Sequence, residues 1–536
     1  MYMNFILATV GKLTNVVSEA ALPVKTALET VTSEPEAAQT AVVASSVEST
    51  SDWLASFSAA VDNVDGYVWG VPLIAGILVT GLLLTCVLRF KHLFNLKNAF
   101  RIMFSPENST SGEVSQFAAL CTALSATIGT GNIVGVATAI GTGGPGALFW
   151  MELAAFFGMA TKYAEGLLAV KYREILPDGT VLGGPFYYIE RGLKGRLGIT
   201  NWKWLAILFA VFAIMAGLLG IGTITQVHGI TSAVQRFFDP AFNPSDMATG
   251  VQLFGTTYSV PVVIAGLAVT AAVGLVVIGG LKRIAAVSTI VVPFMAIFYV
   301  VIIAFLLLGN LSKITPAIEL VIRAAFNPSA FTGGVVGTIF IAMQKGVARG
   351  IFSNEAGRGS APIAAAAAKT DEPVRQGLVC MTGTFIDTII ICTLTGLAIV
   401  VTGAWEPSLG LKGVDITIEA FSRGLAFMGP GSTSFASFFL MAALTFFAFT
   451  TILGWDYYSE KSVEYLFKGH RKIAVGVFRL LYVLAVLIGP YLTVSAVWGI
   501  ADICNGLMAF PNLVALVLLA PVVGRVTRDY FERKRA

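Results

Sequence analysis

The chain alternates between long apolar stretches and short polar connections. Eleven of these stretches approach or exceed the roughly 20 apolar residues that a helix needs to cross a membrane. They are predicted at residues 68–90, 114–142, 147–173, 203–235, 259–278, 285–308, 335–366, 376–402, 434–456, 473–491 and 494–524. The last is interrupted near Pro511, where a half-helix followed by a full helix is expected. The pattern therefore predicts an all-α membrane protein with about 11 transmembrane helices.

Composition supports this prediction and excludes several classes of protein. Of the 536 residues, 56% are hydrophobic and only 12% are charged, whereas soluble proteins carry about 25% charged residues. A chain with so little charge must face lipid, which excludes a soluble enzyme and a disordered protein. The net charge of +4 is too small to indicate a nucleic-acid partner.

The basic residues are distributed unevenly among the predicted loops. If the N-terminus lies outside, the segments predicted to be cytoplasmic hold 23 of the 35 Lys and Arg residues, and the outer segments hold seven. Cytoplasmic loops carry the excess of positive charge, so this bias predicts an outer N-terminus and a cytoplasmic C-terminus. Residues 1–67 are predicted to form a disordered extracytoplasmic tail, with a cleaved signal peptide as the alternative.

The second predicted span contains a run of glycines and polar residues, SATIGTGNIVG, at residues 125–135. Glycine weakens a helix, and the membrane interior offers no partner to a freed backbone group unless protein or water supplies one. The segment therefore predicts a helix that is broken in mid-membrane. A simple helix-packing motif is the alternative explanation for the glycines at 131 and 135.

The seventh predicted span contains a second unusual segment, QKGVARGIFSNEAGRGSAP, at residues 344–362. It holds four ionisable residues, Lys345, Arg349, Glu355 and Arg358. Each costs at least about 2.5 kcal/mol at the centre of a bilayer, so together they must face protein, water or a bound solute. Arg349, Glu355 and Arg358 are alternatively structural ion pairs near a cytoplasmic mouth.

The two unusual segments lie five spans apart. This offset predicts an inverted repeat of five plus five helices, with an extra helix at 68–90, a first repeat at 114–308 and a second repeat at 335–524, in a membrane domain of residues 68–530. Broken helices expose N–H groups, which suit an anion, and C=O groups, which suit a cation. One site between the repeats would therefore select a small zwitterion together with a cation.

Three segments carry a resemblance to a known family. SATIGTGNIVGVATAI, GGPGALFWMELAAFFGMATKYAEGLLAVKYRE and IFSNEAGRGSAPIAAAAA resemble the alanine/glycine:cation symporters, or sodium:alanine symporters, and the resemblance runs from about residue 68 to 530. It implies a fold of the leucine-transporter type with one helix added before a ten-helix core. It also implies a secondary symporter of a prokaryotic cytoplasmic membrane that imports alanine or glycine with Na⁺, or sometimes with H⁺, by alternating access.

The resemblance also implies a set of binding residues. The substrate carboxylate is expected at the backbone N–H groups around the first break. The second break would form the opposite side of the substrate site, and the fourth span would add a polar contact. Ile128 and Phe352 would limit the volume of the substrate side chain. The implied substrate-binding residues are Thr127, Gly129, Thr130, Gly131, Asn132, Gln226, Phe352, Ser353, Asn354, Glu355 and Gly357. For Gln226, a hydrogen bond between helices is the alternative role.

A sodium site is implied in the same way. In the leucine-transporter fold such a site joins backbone carbonyls at the first broken helix to a pair of hydroxyl groups on the eighth core helix. Here Ser125 and Ile128 would supply carbonyls, and Thr450 and Thr451 would supply hydroxyls. The alternative is that both threonines bond only to their own helix backbone.

Other buried charges are less specific. Lys162 and Glu165 are expected to form an ion pair across one helical turn, while Asp387 and Asp502 have either a coupling or a structural role. The segment 183–193 is predicted to be a short amphipathic helix of an inner gate. We expect a monomer without a resident cofactor, and a channel or an intramembrane enzyme as alternatives of other classes.

Overall fold

A computed structural model describes residues 56–61, 63–105, 107, 111–177, 179–243, 250–253, 256–326, 339–491 and 495–534. The chain divides into two compact units, Met1–Asp65 and Gly66–Ala536. Most of the predicted tail, residues 1–67, lies outside the described residues. Its described part, residues 56–61 and 63–67, is helical, so helical structure precedes the boundary predicted at residue 68.

The first half of the second unit consists of helices and two small β-hairpins. In chain order its elements are α1 (Val71–Leu88), α2 (Lys91–Phe94), α3 (Leu96–Met103), α4 (Gln116–Thr127), a π-helical turn (Gly131–Gly135), α5 (Val136–Gly143), α6 (Gly146–Lys171), β1 (Glu174–Ile175), β2 (Val181–Leu182), α7 (Pro185–Tyr187), a second π-helical turn (Tyr188–Gly192), a 3₁₀ turn (Arg196–Gly198), α8 (Lys203–Leu219), α9 (Ile224–Phe238), β3 (Gly250–Leu253), β4 (Thr256–Ser259), α10 (Val260–Val277) and α11 (Gly280–Leu308). Both hairpins, β1–β2 and β3–β4, are antiparallel.

The regular elements of the second half are all helical among its described residues. Its elements are α12 (Leu311–Phe326), α13 (Ile339–Asn354), α14 (Ala361–Ala365), α15 (Pro373–Thr384), a π-helical segment (Phe385–Cys392), α16 (Thr393–Thr402), a 3₁₀ turn (Pro407–Leu409), α17 (Val414–Gly424), a 3₁₀ turn (Ala426–Met428), α18 (Ser432–Leu466), a 3₁₀ turn (Lys468–His470), α19 (Arg471–Ile488), a 3₁₀ turn (Gly489–Tyr491) and α20 (Ser495–Arg533). The expected half-helix near Pro511 is not seen, because α20 runs through this proline as one helix.

The described residues contain nine helices long and apolar enough to cross a membrane, and the bent pair Gln116–Thr127 and Gly131–Gly143 adds a tenth. The predicted span 335–366 holds the 16-residue α13 and the five-residue α14, while residues 335–338 lie outside the described part. The chain is thus an all-α, multi-pass membrane protein. The count of eleven and the five-plus-five repeat stay predictions.

Small residues let α6 and α15 pack closely. A Cβ atom on Gly166 would lie 2.5 Å from Sγ of Cys380, and one on Gly377 would lie 2.8 Å from the carbonyl oxygen of Tyr163. Lipid gives apolar helices no hydrophobic reason to associate, so close backbone approach supplies much of their attraction through van der Waals contact. These glycines therefore fix α15 against α6 and position the residues that follow α15.

The segment predicted as a cytoplasmic helix folds as α7 and the π-helical turn that follows it. Its Phe186 ring stacks on the Tyr465 ring at the end of α18, with 4.8 Å between the ring centroids. The Tyr465 hydroxyl donates a hydrogen bond of 2.5 Å to Glu190. These contacts hold the segment against α18, and its part in an inner gate stays a prediction.

His92 lies in α2, outside the membrane spans, and we expect it to make the stability of the protein depend on pH. The side chain is buried, neither ring nitrogen has a hydrogen-bond partner among the described residues, and burial lowers its pKa from 6.5 to about 4. Protonation therefore favours the unfolded chain. The free energy of unfolding should fall as the pH drops from about 6.5 towards 4, by at most about 1.4 kcal/mol per pH unit.

The measurement is the Tm of the purified protein in detergent at pH 7.5 and pH 5.0. His92→Phe should reduce the loss of Tm at pH 5.0, whereas the matched control His470→Phe should keep it, because His470 is exposed. An unchanged pH dependence in His92→Phe would contradict this assignment.

Candidate functional site

The second predicted span is interrupted at its glycine-rich segment. Helix α4 ends at Thr127, Ile128 is extended with φ −75° and ψ 96°, and the chain becomes helical again through the turn that begins at Gly131. The two halves are bent by 52°. The side-chain oxygen Oδ1 of Asn132 accepts a hydrogen bond of 2.9 Å from the backbone N–H of Gly129. Asn132 thus closes the interrupted turn from within.

The seventh predicted span is also interrupted. Helix α13 ends at Asn354 and α14 begins at Ala361. Between them, Glu355, Gly357 and Gly359 have φ values of 59°, 85° and 82°. Glycine adopts this left-handed region freely, while glutamate does so only where contacts hold it. The sequence of this break therefore matches its backbone at the two glycines and leaves Glu355 to be held by its neighbours.

The two breaks are adjacent in space. A Cβ atom on Gly131 would lie 3.2 Å from Cδ1 of Phe352 and 3.3 Å from Cα of Ser353. The backbone at the first break therefore lies so close to the end of α13 that even a Cβ atom at position 131 would be crowded. The absence of a side chain at Gly131 makes this approach possible.

Asp387 joins the two breaks by hydrogen bonds. Its Oδ1 accepts from Nδ2 of Asn132 at 2.8 Å, and its Oδ2 accepts from Oγ of Ser353 and Oγ1 of Thr388, each at 2.8 Å. Asn354 donates in turn to Oγ1 of Thr388 at 3.1 Å. Asp387 lies in the π-helical segment after α15 and is fully buried. One carboxylate thus connects the first break, the second break and a third helix.

Gln226 on α9 faces the first break. It is buried, and its Oε1 has no hydrogen-bond partner among the described residues. This oxygen lies 3.5 Å from the place of a Cβ atom on Gly129. Buried polar atoms are nearly always paired, so an unpaired amide oxygen at a broken helix is a position where a ligand atom fits.

The two adjacent threonines on α18, Thr450 and Thr451, have different neighbours. Oγ1 of Thr451 lies 3.3 Å from the carbonyl oxygen of Ile128 and also donates to its own helix at Phe447. Oγ1 of Thr450 bonds to the same helix and lies 3.6 Å from Sδ of Met295. Both threonines therefore bond to their own helix, and Thr451 additionally faces the carbonyl end of α4. Its hydroxyl and the Ile128 carbonyl form a pair of oxygens suited to a hard cation.

A second polar cluster surrounds the far side of the second break. Oε1 of Glu165 accepts hydrogen bonds from the backbone N–H groups of Gly357 and Gly359, both at 3.2 Å, and from Nδ2 of Asn512 at 2.7 Å. Tyr188, in the segment 183–193, donates to Oδ1 of Asn512. The amide groups that this break exposes are therefore occupied by a carboxylate of the protein itself.

Glu355 belongs to the interior of that break. Its Oε2 accepts from Oγ of Ser360 at 2.5 Å, and its Oε1 lies 3.7 Å from a guanidinium nitrogen of Arg358. Arg358 is buried with its guanidinium 5.3 Å from the Trp455 ring and donates to the carbonyl of Phe352 at 3.2 Å. The Glu355–Arg358 pair is thus an internal ion pair of the broken segment. No ion pair joins Lys162 to Glu165 among the described residues, because Glu165 bonds to the break instead.

The residues expected to bind solutes fall into three groups. Those at the junction of the two breaks are Ile128, Gly129, Gly131, Asn132, Gln226, Phe352, Ser353 and Thr451. Those bonded within their own helices are Ser125, Thr127 and Thr450, while Asn354 donates to Thr388 in the π-helical segment after α15 and Thr130 packs near Gly229. Glu355 bonds inside the second break, and Gly357 faces Leu513 and Ile77, so the structure does not bring these two to the junction.

The sequence analysis did not predict three features of this region. It noted Asp387 in mid-span without predicting its contacts, and it did not single out Asn512. It also missed an interruption between α8 and α9 at residues 220–223, where the Tyr482 hydroxyl donates to the carbonyl of Gly222 at 2.7 Å. The signal for that interruption was present in the two glycines at 220 and 222.

Comparison with known proteins identifies the family. The sodium:alanine symporter family matches residues 54–536, which is nearly the whole chain. A solved structure, MhsT in complex with L-phenylalanine, is similar with a TM-score of 0.49 at 12% identity, over 78% of this chain and 98% of that chain.

Curated relatives come from bacteria and archaea. An uncharacterized transporter of Haemophilus influenzae is 51% identical, over 88% of this chain and 95% of its own length. The sodium/alanine symporter AgcS of Methanococcus maripaludis is 42% identical, over 89% and 98%. The probable sodium/glutamine symporter GlnT of Bacillus subtilis is 34% identical, over 88% and 90%. The chain therefore belongs to the sodium:alanine symporter family, which is a family of membrane transporters and not of enzymes.

Proposed function

We propose that this protein is a secondary active symporter that imports a small neutral amino acid, alanine or glycine, together with Na⁺ by alternating access. The observation that carries the proposal is the junction of two broken helices at Gly131 and Ser353. Such junctions offer main-chain donors and acceptors to one solute in the middle of a membrane.

The chemistry of the junction supports a zwitterion. The N–H groups of Thr130 and Gly131 stand at the start of the resumed helix, where a carboxylate is favoured. The N–H of Gly129 is already bonded to Asn132, so we assign the carboxylate to the other two. The unpaired Oε1 of Gln226 accepts from the ammonium group of the substrate. Phe352 beside Gly131 limits the volume of the substrate side chain.

The coupling ion is assigned to the oxygens beside the carboxylate site. The carbonyl of Ile128 and the hydroxyl of Thr451 are its first two ligands, with the Ser125 carbonyl and the Thr450 hydroxyl completing the set. A membrane potential of 100 mV supplies about 2.3 kcal/mol for each positive charge that moves inward, so one Na⁺ drives accumulation of an electroneutral zwitterion.

The proposed setting is the cytoplasmic membrane of a prokaryote. The charge bias of the loops favours an outer N-terminus and a cytoplasmic C-terminus. The proposed functional unit is a monomer. Nothing in the site requires a resident cofactor, and Na⁺ is the transported coupling ion.

Uptake into proteoliposomes tests the proposal. We expect accumulation of labelled alanine or glycine when a sodium gradient is imposed, and exchange of labelled substrate in counterflow without a gradient. Uptake driven only by a pH gradient in sodium-free buffer would assign the coupling to H⁺. Ion currents that do not saturate with amino acid would indicate a channel and would overturn the proposal.

Gln226→Leu tests the assignment of the ammonium contact. Loss of one charge-assisted hydrogen bond costs about 1.5–3 kcal/mol, so we expect the KM for the amino acid to rise at least tenfold while the sodium dependence at saturating substrate is unchanged. Gln235→Leu, a glutamine near the end of the same helix, is the matched control and should transport normally. An unchanged KM in Gln226→Leu would place the ammonium group elsewhere.

A further inference from the structure

Helices α1 and α20 run parallel and form a continuous seam. Nε1 of Trp69 donates to the carbonyl of Asp502 at 3.0 Å, a Cβ atom on Gly76 would lie 3.7 Å from Leu513, and one on Gly524 would lie 2.7 Å from Val87. The residue numbers of the paired positions rise together along both helices. A groove between these two helices therefore runs along the length of both.

One end of the seam is a basic pocket of about 380 Å³. Its lining residues are Cys86, Val87, Leu88, Arg89, Lys91, Pro521, Gly524, Arg525, Thr527 and Arg528. Four of these ten residues are cationic and none is acidic. Such a lining attracts an anion and repels a cation.

The four cations are held at the pocket without acidic partners. No ion pair of Arg89, Lys91, Arg525 or Arg528 occurs among the described residues, while other basic residues at this end of the bundle, such as Arg533, do form them. Arg89 and the next residue have φ values of 50° and 58°, which turn the chain sharply after α1. The Lys91 ammonium lies 5.6 Å from the Phe531 ring. The backbone turn and this ring place the cations of α1 beside those of α20.

The rest of the seam is an apolar groove of about 640 Å³. It is lined by Tyr67, Val68, Pro72, Leu73, Gly76, Val79, Thr80, Leu197, Gly506, Leu507, Phe510, Leu513, Val514, Val517 and Leu518. The lining residue Leu518 lies seven residues before Arg525, which is about 10 Å along a helix. The groove thus leads from the membrane interior towards the basic pocket.

We propose that this seam binds an anionic phospholipid, with its phosphate in the basic pocket and an acyl chain in the apolar groove. Arginine guanidinium groups match phosphate oxygens in geometry and charge, and basic pockets between membrane helices hold anionic headgroups at the cytoplasmic side. The C-terminal end of α20 is the end predicted to be cytoplasmic. A soluble anion would occupy the basic pocket and leave the apolar groove empty. A basic pocket that continues into an apolar groove therefore favours a lipid. The inference is independent of the transported substrate.

The test uses the full-length protein in mild detergent and native mass spectrometry. Three probes are titrated: phosphatidylglycerol, phosphatidylcholine with the same acyl chains, and soluble glycerol 3-phosphate. We expect one phosphatidylglycerol to bind at least about tenfold more tightly than either of the other two. Equal binding of the two lipids would overturn the headgroup assignment, and equally tight glycerol 3-phosphate would overturn the lipid assignment.

Charge variants locate the binding. Each basic residue near a membrane surface contributes about a fivefold gain in affinity, so Arg525→Gln with Arg528→Gln should weaken phosphatidylglycerol binding about 25-fold. Lys194→Gln with Lys472→Gln removes the same charge from exposed positions outside the pocket and should leave the binding unchanged. Equal losses in both double variants would show a diffuse charge effect and would overturn the proposed site. Because the variants are compared by lipid binding, failed transport of alanine would leave this inference standing.

Discussion

Replacing Asp387 with alanine is expected to reduce amino-acid uptake at least about 100-fold. Three buried donors, on Asn132, Ser353 and Thr388, would each lose their hydrogen bond to the carboxylate at once. Each buried donor left unsatisfied costs about 1–3 kcal/mol, and the first two belong to the two broken helices. The variant would therefore lose the connection that holds the breaks in register.

The measurement is initial uptake by proteoliposomes, normalised to the monodisperse protein recovered by gel filtration. Asp387→Asn should fall between the wild type and Asp387→Ala, because the amide keeps one acceptor oxygen and replaces the other with a donor. Glu406→Gln, a change at an exposed acid between α16 and α17, serves as the control and should have normal uptake. Wild-type uptake by Asp387→Ala would refute the role of this carboxylate.

The second large effect is expected from Thr451→Val, which should raise the sodium concentration for half-maximal uptake at least tenfold. Valine has nearly the same shape as threonine and removes only the hydroxyl that lies 3.3 Å from the Ile128 carbonyl. A lost oxygen ligand to a cation costs about as much as a charge-assisted hydrogen bond, about 1.5–3 kcal/mol. The amino-acid KM at saturating sodium should change much less.

Thr450→Val is the neighbouring comparison. Thr450 contacts Met295 and its own helix, so its loss should have a smaller effect on the sodium requirement. Thr451→Ser should retain the wild-type requirement because it keeps the hydroxyl. A larger effect from Thr450→Val than from Thr451→Val would place the cation on the Met295 side of α18.

The sequence alone was sufficient to predict the interruptions at the two glycine-rich segments. Left-handed backbone at Gly357 and Gly359 has a direct local cause, because only glycine adopts it without strain. Local patterns also predicted the all-α membrane class. These features depend on residues close together in the chain, and a single sequence contains that information.

Contacts between distant residues could not be predicted in the same way. Asp387 meets Asn132 across 255 positions of sequence, and Asn512 meets Glu165 across 347. Nothing in the pattern fixes the rotation of one helix about its axis relative to another to within a hydrogen-bond length. For the same reason the sequence suggested that Glu165 pairs with Lys162 one turn away, whereas the carboxylate bonds to a break on another helix.

The carboxylate of Glu165 at the second break has a consequence for how the two halves of the site behave. Because Glu165 accepts from the N–H groups of Gly357 and Gly359, these two groups need no bound solute to satisfy them. At the first break, the Thr451 hydroxyl has one proton for two carbonyl oxygens, that of Phe447 at 2.9 Å and that of Ile128 at 3.3 Å, so it can donate to Phe447 alone and leave the Ile128 carbonyl to another partner. The second break is therefore closed by a fixed internal acceptor, whereas the first break contains a hydroxyl whose hydrogen bond can be exchanged.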